Sequence, residues 1–355
     1  MKIAGIVLSG IIILLTAVGI FAYIKREALL RSAIEKAINK AKNDYNLNVK
    51  IENAHFEGLR TVAFDKITVV PDQRDSLANF NDLRIGIRLM PLLVGNIKLS
   101  EIKMNYGKIS LIKKDSIRNY DFLFKKDNSA DTTTATKVNI AELANNLLNK
   151  LLNKIPENMD IKNFQLLFDD NNEKLDFYTG SATIEDGDLK STILVNNRQS
   201  TWHLNGEVAP DDKQFDLNLF ADGKKVELPF LEKKYNLKLS FDTIHSQLKD
   251  VESNGDELKL SGNFAIKNLL INQPKIAAND IIVQNGSIDA DMTFGENFVS
   301  IDSSSVIHLK NIEANPFIKY TLYPTKIYEL NLKTSELDAQ ELVNAFPQGL
   351  FESLE

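Results

Sequence analysis

Catalysis needs acids, bases or nucleophiles brought together, and in this chain the histidines and the acidic runs are the residues that could supply them. The chain has no cysteine and four histidines. Without a thiol there is no disulfide framework, no thiolate metal site, no cysteine nucleophile and no lipid-modified N-terminal cysteine. His55, His203, His245 and His308 are dispersed, and none lies four residues from another, the spacing of a helical zinc-binding pair. His55-Phe-Glu57 begins like a zinc deaminase motif but lacks that motif's cysteines. No nucleophile elbow, Walker loop or dinucleotide fingerprint occurs. Asp169-Asp-Asn-Asn-Glu173 is the densest acidic run; it lacks the glycine and ligand order of an EF-hand loop and reads as a solvated hairpin tip. Asp289 and Asp291 would share one strand face, as paired carboxylates do and as the wet side of any strand does. No catalytic residue, metal ligand or cofactor is assigned, and the chain is expected not to be an enzyme.

The elements that would carry these groups are mostly strands. Val49 and Ile51 alternate with Lys50 and Glu52, and Leu83, Ile85, Ile87 and Leu89 alternate with Arg84, Gly86 and Arg88. Such a period of two marks strands with one apolar and one wet face. Residues 97–104 and 108–112 read as further strands, and almost two hundred residues after Pro156 are short alternating segments. Asp186-Gly187, Asn205-Gly206, Asp222-Gly223, Asn254-Gly255 and Asn285-Gly286 fit type I′ hairpin turns, which need positive φ at both central residues. No helical pattern falls between these strands, so an antiparallel meander is expected rather than alternating β-α units.

Two or three amphipathic helices are expected. The first, 27–45, carries the stripe Leu30, Ile34, Ala37, Ile38, Ala41 and Tyr45; the second, 138–155, carries Ile140, Leu143, Ala144, Leu147, Leu148, Leu151, Leu152 and Ile155 and stops before Pro156. The third would span 335–346. Ahead of them, Ile3–Ile24 is 22 residues without a charge. A helix of that length crosses a hydrocarbon core of roughly 30 Å, whereas a cleaved signal peptide has an apolar core of about 7–15 residues. Residues 1–25 are therefore expected to be an uncleaved transmembrane anchor, stopped by Lys25-Arg26. The charge rule for orientation does not decide which side receives so long a following domain.

The domain organisation expected is an anchor (1–25), an α+β module (26–126), a polar linker (127–137), a β-meander opened by a helix (138–334) and a C-terminal helical segment (335–355). The end at Glu355, soon after Pro347 and Gly349, reads as a shortened chain or as one module of a longer protein. Residues 1–126 hold 21 Lys and Arg against 12 Asp and Glu, a net of +9, and the remainder is net −15. The overall charge of −6 does not suit a nucleic-acid binder. The fold class expected is mainly β: a long twisted antiparallel sheet with an apolar groove, a transmembrane helix and two or three amphipathic helices. A meander with one apolar face must cover that face with a second sheet, with helices or with lipid, and composition does not choose among them.

The N-terminal 126 residues resemble the AsmA family of bacterial envelope proteins. The likeness rests on Ile3–Ile24, the helix ending near Tyr45, Val49–Gly58, Val62–Pro71, and above all Leu83–Ile102, an alternating strand, a Pro-Leu-Leu turn with Gly95 and a returning strand. The resemblance implies a single-pass inner-membrane anchor with the β-rich part in the periplasm. It also implies kinship with TamB-like and chorein-type bridge proteins, whose sheets form a groove for phospholipid, and a role in envelope and outer-membrane biogenesis without catalysis. Candidate groove residues are Leu83, Ile85, Ile87, Leu89, Ile97 and Leu99, which read at least as readily as structural core. Candidate headgroup contacts are Arg84, Arg88 and Lys98, which are equally the wet face of their strands. The expected partners are phospholipid and the membrane. The alternative is a tethered scaffold that binds an envelope protein by strand addition at an open sheet edge.

Overall fold

The computed structural model describes residues 27–88, 98–124 and 139–334, less positions 29, 153, 197, 223, 224, 255, 276, 278, 311 and 324. The expected anchor, the Pro91 turn, the polar linker and the C-terminal helix lie outside the described residues. Among the described residues no helix is long and apolar enough to cross a membrane. The fold is mainly β and divides into two compact units: Met1–Lys125 with Ile161–Asn171, and Lys126–Asp160 with Asn172–Glu355.

The first unit opens with a helix, α1 (30–45), whose half-buried stripe is Leu30, Ile34, Ile38 and Ala41, while Ala37 and Tyr45 are exposed. Its last turn is tied to the sheet by Lys42, which bonds Asp72 at 2.7 Å and Asn48 at 3.0 Å. Strands β1 (Leu47–Glu57), β2 (Thr61–Pro71), β3 (Ala78–Ile87) and β4 (Leu99–Lys114) follow as antiparallel neighbours. β4 also pairs with the short β5 (Ile117–Arg118) and with β6 (Asn158–Asp170). From Ile161 on, β6 thus belongs with the first unit, not with the meander that follows it in sequence.

The alternation in this sheet changes phase along one line. Val49 and Ile51 share a face with Ala54 and Phe56, and across the ladder Ile67 and Val69 share it with Val62 and Phe64. The change falls at Asn53, with φ 47°, which donates to Asp65 opposite it at 2.8 Å. One strand over, Asp82 (φ 52°) accepts from Asn105, and Asn163 (φ 52°) donates to the Asn105 carbonyl at 3.3 Å. Asn and Asp tolerate the left-handed region because a short polar side chain bonds locally. Because both partners of each pair change phase together, register is preserved and the apolar face stays continuous.

The second unit is a meander. In order its strands are β7 (Glu173–Glu185), β8 (Asp188–Val195), β9 (Ser200–Ala209), β10 (Gln214–Ala221), β11 (Val226–Glu227), β12 (Lys238–Phe241), β13 (Thr243–Ser253), β14 (Leu258–Asn272), β15 (Ile281–Phe294), β16 (Phe298–Ile301), β17 (Val306–Leu309), β18 (Ile312–Thr321) and β19 (Ile327–Thr334). From β7 to β10 each strand pairs with the next; β10 then pairs with β13, β13 with β14 and β14 with β15. β12 and β13 both pair with β14, and β16 and β17 lie between β15 and β18, so each couple is one interrupted strand position. β19 closes the series on β18.

Asp186-Gly187 forms the expected turn, with φ of 50° and 88° between Glu185 and Asp188. Asn254 opens the β13–β14 connection and caps it by accepting from the Asp256 and Glu257 amides at 3.1 and 2.8 Å. Two expected turns are corrected. Asn205-Gly206 lies inside β9 and Asn285-Gly286 inside β15. At Gly206 the cause is a close approach of chains: a Cβ there would stand 1.9 Å from the Asp216 carbonyl oxygen of β10.

Helix α2 (Ile140–Leu152) is shorter than the expected 138–155. Asn139 caps it by accepting from the Glu142 amide at 3.0 Å, and its first two amides donate to Glu296 and Gly295 in the β15–β16 turn. Ala141 and Leu152 are buried, whereas Leu143 and Leu147 face outward, so only part of the apolar stripe packs. A short α3 (Pro229–Tyr235) begins with proline at its N-terminus and ends on Asn236 in the left-handed region.

Candidate functional site

Strand alternation gives the second unit one apolar and one polar face. A row of the apolar face can be followed through the registers: Leu204 opposes Leu219, Leu219 opposes Ile244, Ile244 opposes Ile266, Ile266 opposes Gly286, Gly286 opposes Leu309 and Leu309 opposes Ile312. A second row runs Ser246, Phe264, Ile288, Ile307 and Ala314. The phase change that keeps this face continuous recurs at Asn268 (φ 51°), which donates to Asp242 at 2.5 Å, so that Phe264 and Ile266 share a face with Leu269 and Ile271.

This face is sealed at the strand ends and open in the middle. At one end Leu258 is 1% exposed, beside Phe294 and the turn that anchors α2. Toward the other end, where α3 packs on β12, Phe241 is 4% exposed. Between them Leu204, Leu217, Leu219, Ile244, Ile266, Ile288, Ile307 and Leu309 are only half-buried, and Phe264 is 42% exposed. The helix α2 packs on β14 and β15, and the central band is more exposed than either end. Toward β19 the apolar side is more open still, with Leu330 77% exposed.

The opposite face is a hydrogen-bonded polar ladder. His245 meets Asp216 through Nε2 at 2.8 Å and Asn263 Oδ1 through Nδ1 at 3.1 Å. Gln247 donates to the other oxygen of Asp216 at 2.9 Å, and Asn263 donates to Asp289 at 3.1 Å. Asp289 also accepts from Lys249 at 3.4 Å and lies 3.5 Å from His308 Nε2, whose Nδ1 is 3.3 Å from Glu313. The donation from Asn263, followed by Lys249, holds the Asp289 carboxyl below the usual carboxylate range. Hydroxyls of Ser304 and Ser261 do the same for Asp291. These carboxylates are hydrogen-bonded within the sheet, and Asp291 also lines a surface groove with Asp250, Glu252 and Asp302. A shallow groove of about 320 Å³ on this face is lined by His245, Ala265, Lys267, Ser287, His308 and Lys310. Among the described residues no group of three or more His, Asp or Glu side chains is arranged to hold a metal ion.

In the first unit, Leu83, Ile85, Ile87 and Leu99 are half-buried. Leu83 stands between Phe64 and Met104, Ile85 between Val62 and Ile102, and Ile87 opposite Leu99, so the registers bring these four candidates together. Leu89 and Ile97 lie outside the described residues. Arg84 donates to Glu57 at 2.9 Å and bonds Asp82, and the Glu57 bond raises its already high pKa. Arg88 and Lys98 are neighbours through an amide-to-carbonyl bond of 2.9 Å. Sequence reading missed the open band around Phe264; its signal was present in the even-numbered apolar run Leu258, Leu260, Phe264 and Ile266.

No protein-family model matches the chain, and no curated protein and no solved structure matches it.

Proposed function

We propose that this chain is a non-catalytic lipid-binding protein in which phospholipid acyl chains lie along the apolar face of the second unit, with the polar ladder turned to water. The observation that carries the reading is the central band from Leu204 to Leu309, apolar across successive strands and more exposed than the strand ends that flank it. Each methylene removed from water there contributes roughly 0.8 kcal/mol, so two acyl chains would be held without a specific polar contact. The first unit's face around Leu83, Ile85, Ile87 and Leu99 is of the same kind. For Arg84 to meet a phosphate it must exchange Glu57 and Asp82 for it; Arg88 and Lys98 sit at the end of the β3–β4 ladder, where a headgroup would approach. The AsmA-like sequence features support the cellular setting we propose: a single-pass anchor in the bacterial inner membrane, the sheet in the periplasm, and a role in outer-membrane biogenesis.

The test is to purify the chain from bacterial membranes, exchange it through lipid-free detergent, and quantify retained phospholipid by mass spectrometry. Retained phospholipid in stoichiometric amount, lost when Ile266 and Ile288 are both changed to Gln in a protein that still folds, supports the reading. A folded chain that retains none overturns it.

A further inference from the structure

Among the described residues, the last strand, β19, forms an edge of the second unit's sheet. It pairs with β18 from Thr321–Ile327 to Ala314–Thr334, and no other strand of the second unit pairs with it among the described residues. All eight of its residues are exposed, including Tyr328 at 76% and Leu330 at 77%. Its unpaired amides and carbonyls are a template for another strand.

The order of side chains on that edge is self-complementary. Leu330 opposes Ile318 and Tyr328 opposes Tyr320, so Tyr328, Leu330 and Leu332 extend the apolar face, while Glu329, Asn331 and Lys333 lie on the polar face. In an antiparallel pair, residues directly opposite share a face, so joining two copies without setting apolar against polar restricts the register to even steps. Among these, the register centred on Asn331 sets Glu329 against Lys333 twice and Leu330 against Leu332 twice. Centring on Leu330 sets Ile327 against Lys333, and centring on Glu329 sets two carboxylates together.

We propose that β19 pairs with β19 of a second copy of this chain, antiparallel and centred on Asn331, joining two sheets into one with a common apolar side. The two-fold axis stands perpendicular to the sheet, which makes the contact isologous and closed. The proposal does not depend on lipid binding.

The test uses the full chain in detergent, with association read by sedimentation. Glu329→Lys and Lys333→Glu each place like charges opposite one another at two sites, and each is expected to weaken self-association about tenfold or more. Mixing the two variants restores both opposite-charge pairs, and a heterodimer of near wild-type strength is expected. Because the chain has no cysteine, Asn331→Cys gives a second readout: across such a pair the Cα separation of about 4.5–5.5 Å suits a disulfide, so mild oxidation should link two copies covalently, whereas Thr334→Cys, set against Tyr328, should not. A wild-type chain that stays monomeric, a mixture that fails to associate, or equal cross-linking at 331 and 334 overturns the proposal.

Discussion

Replacing two residues of β14 by glutamine tests whether its apolar face is open or closed. Leu258 and Phe264 lie six residues apart on one side of that strand, yet Leu258 is 1% exposed and Phe264 42%. At Leu258 a glutamine loses a packed aliphatic side chain, a change of about 2–5 kcal/mol for leucine truncation, and leaves an amide without water, about 1–3 kcal/mol more. At Phe264 roughly 120 Å² of ring is buried, at most about 3 kcal/mol at about 25 cal/mol per Å². The glutamine stem restores part of that and its amide reaches water, leaving a net cost of about 1–2 kcal/mol. At about 2–4 °C per kcal/mol, thermal unfolding should fall by about 2–8 °C for Phe264→Gln, while Leu258→Gln, at about 3–8 kcal/mol, loses at least about 6 °C or fails to fold. Circular dichroism melts of the two variants, with retained phospholipid measured on the folded one, read both effects. Equal destabilisation would mean that Phe264 is as enclosed as Leu258, and the open-face argument would fail.

Two further outcomes follow from other parts of the fold. Gly206→Ala should lower stability by about 1–3 kcal/mol, because its Cβ meets the Asp216 carbonyl of the next strand rather than a flexible side chain; an unchanged urea midpoint would show that β9 and β10 do not approach so closely. Asp289 and Asp291 have lowered pKa values in the folded chain, so the unfolded state binds more protons as pH falls. Their contribution is complete above the ordinary aspartate value of about 3.9 and is lost as pH drops through the lower folded values. Urea midpoints between about pH 5 and 2 should therefore decline less steeply in the Asp289→Asn, Asp291→Asn double variant than in wild type, and parallel curves would remove these carboxylates from the ladder's pH dependence.

What was legible in the sequence was the local period. Alternation placed Leu83, Ile85 and Ile87 on one strand face, and Asp186-Gly187 marked its turn, because both signals are carried within a few residues. Asn205-Gly206 carries the same local signal for another reason: the glycine admits a neighbouring backbone, which is visible only once β10 lies beside β9. The phase changes at Asn53, Asp82 and Asn268 were illegible for a related reason, since an Asn or Asp in a strand reads as one more wet-face residue until its partner shows that both strands shift together. The α2 stripe overstated its buried face because Leu143 and Leu147 continue the helical period outward. The open band was hidden for the same physical cause: alternation says which side of a strand is apolar, whereas exposure depends on what distant segments leave uncovered.

The central claim is tested most directly by placing a photo-activatable side chain at Phe264 or, one residue along on the other face, at Ala265, and irradiating the full chain in vesicles of phosphatidylethanolamine and phosphatidylglycerol. The account predicts a phospholipid adduct at 264 and none at 265. Absence of an adduct at both positions, or equal labelling of the two, would contradict it.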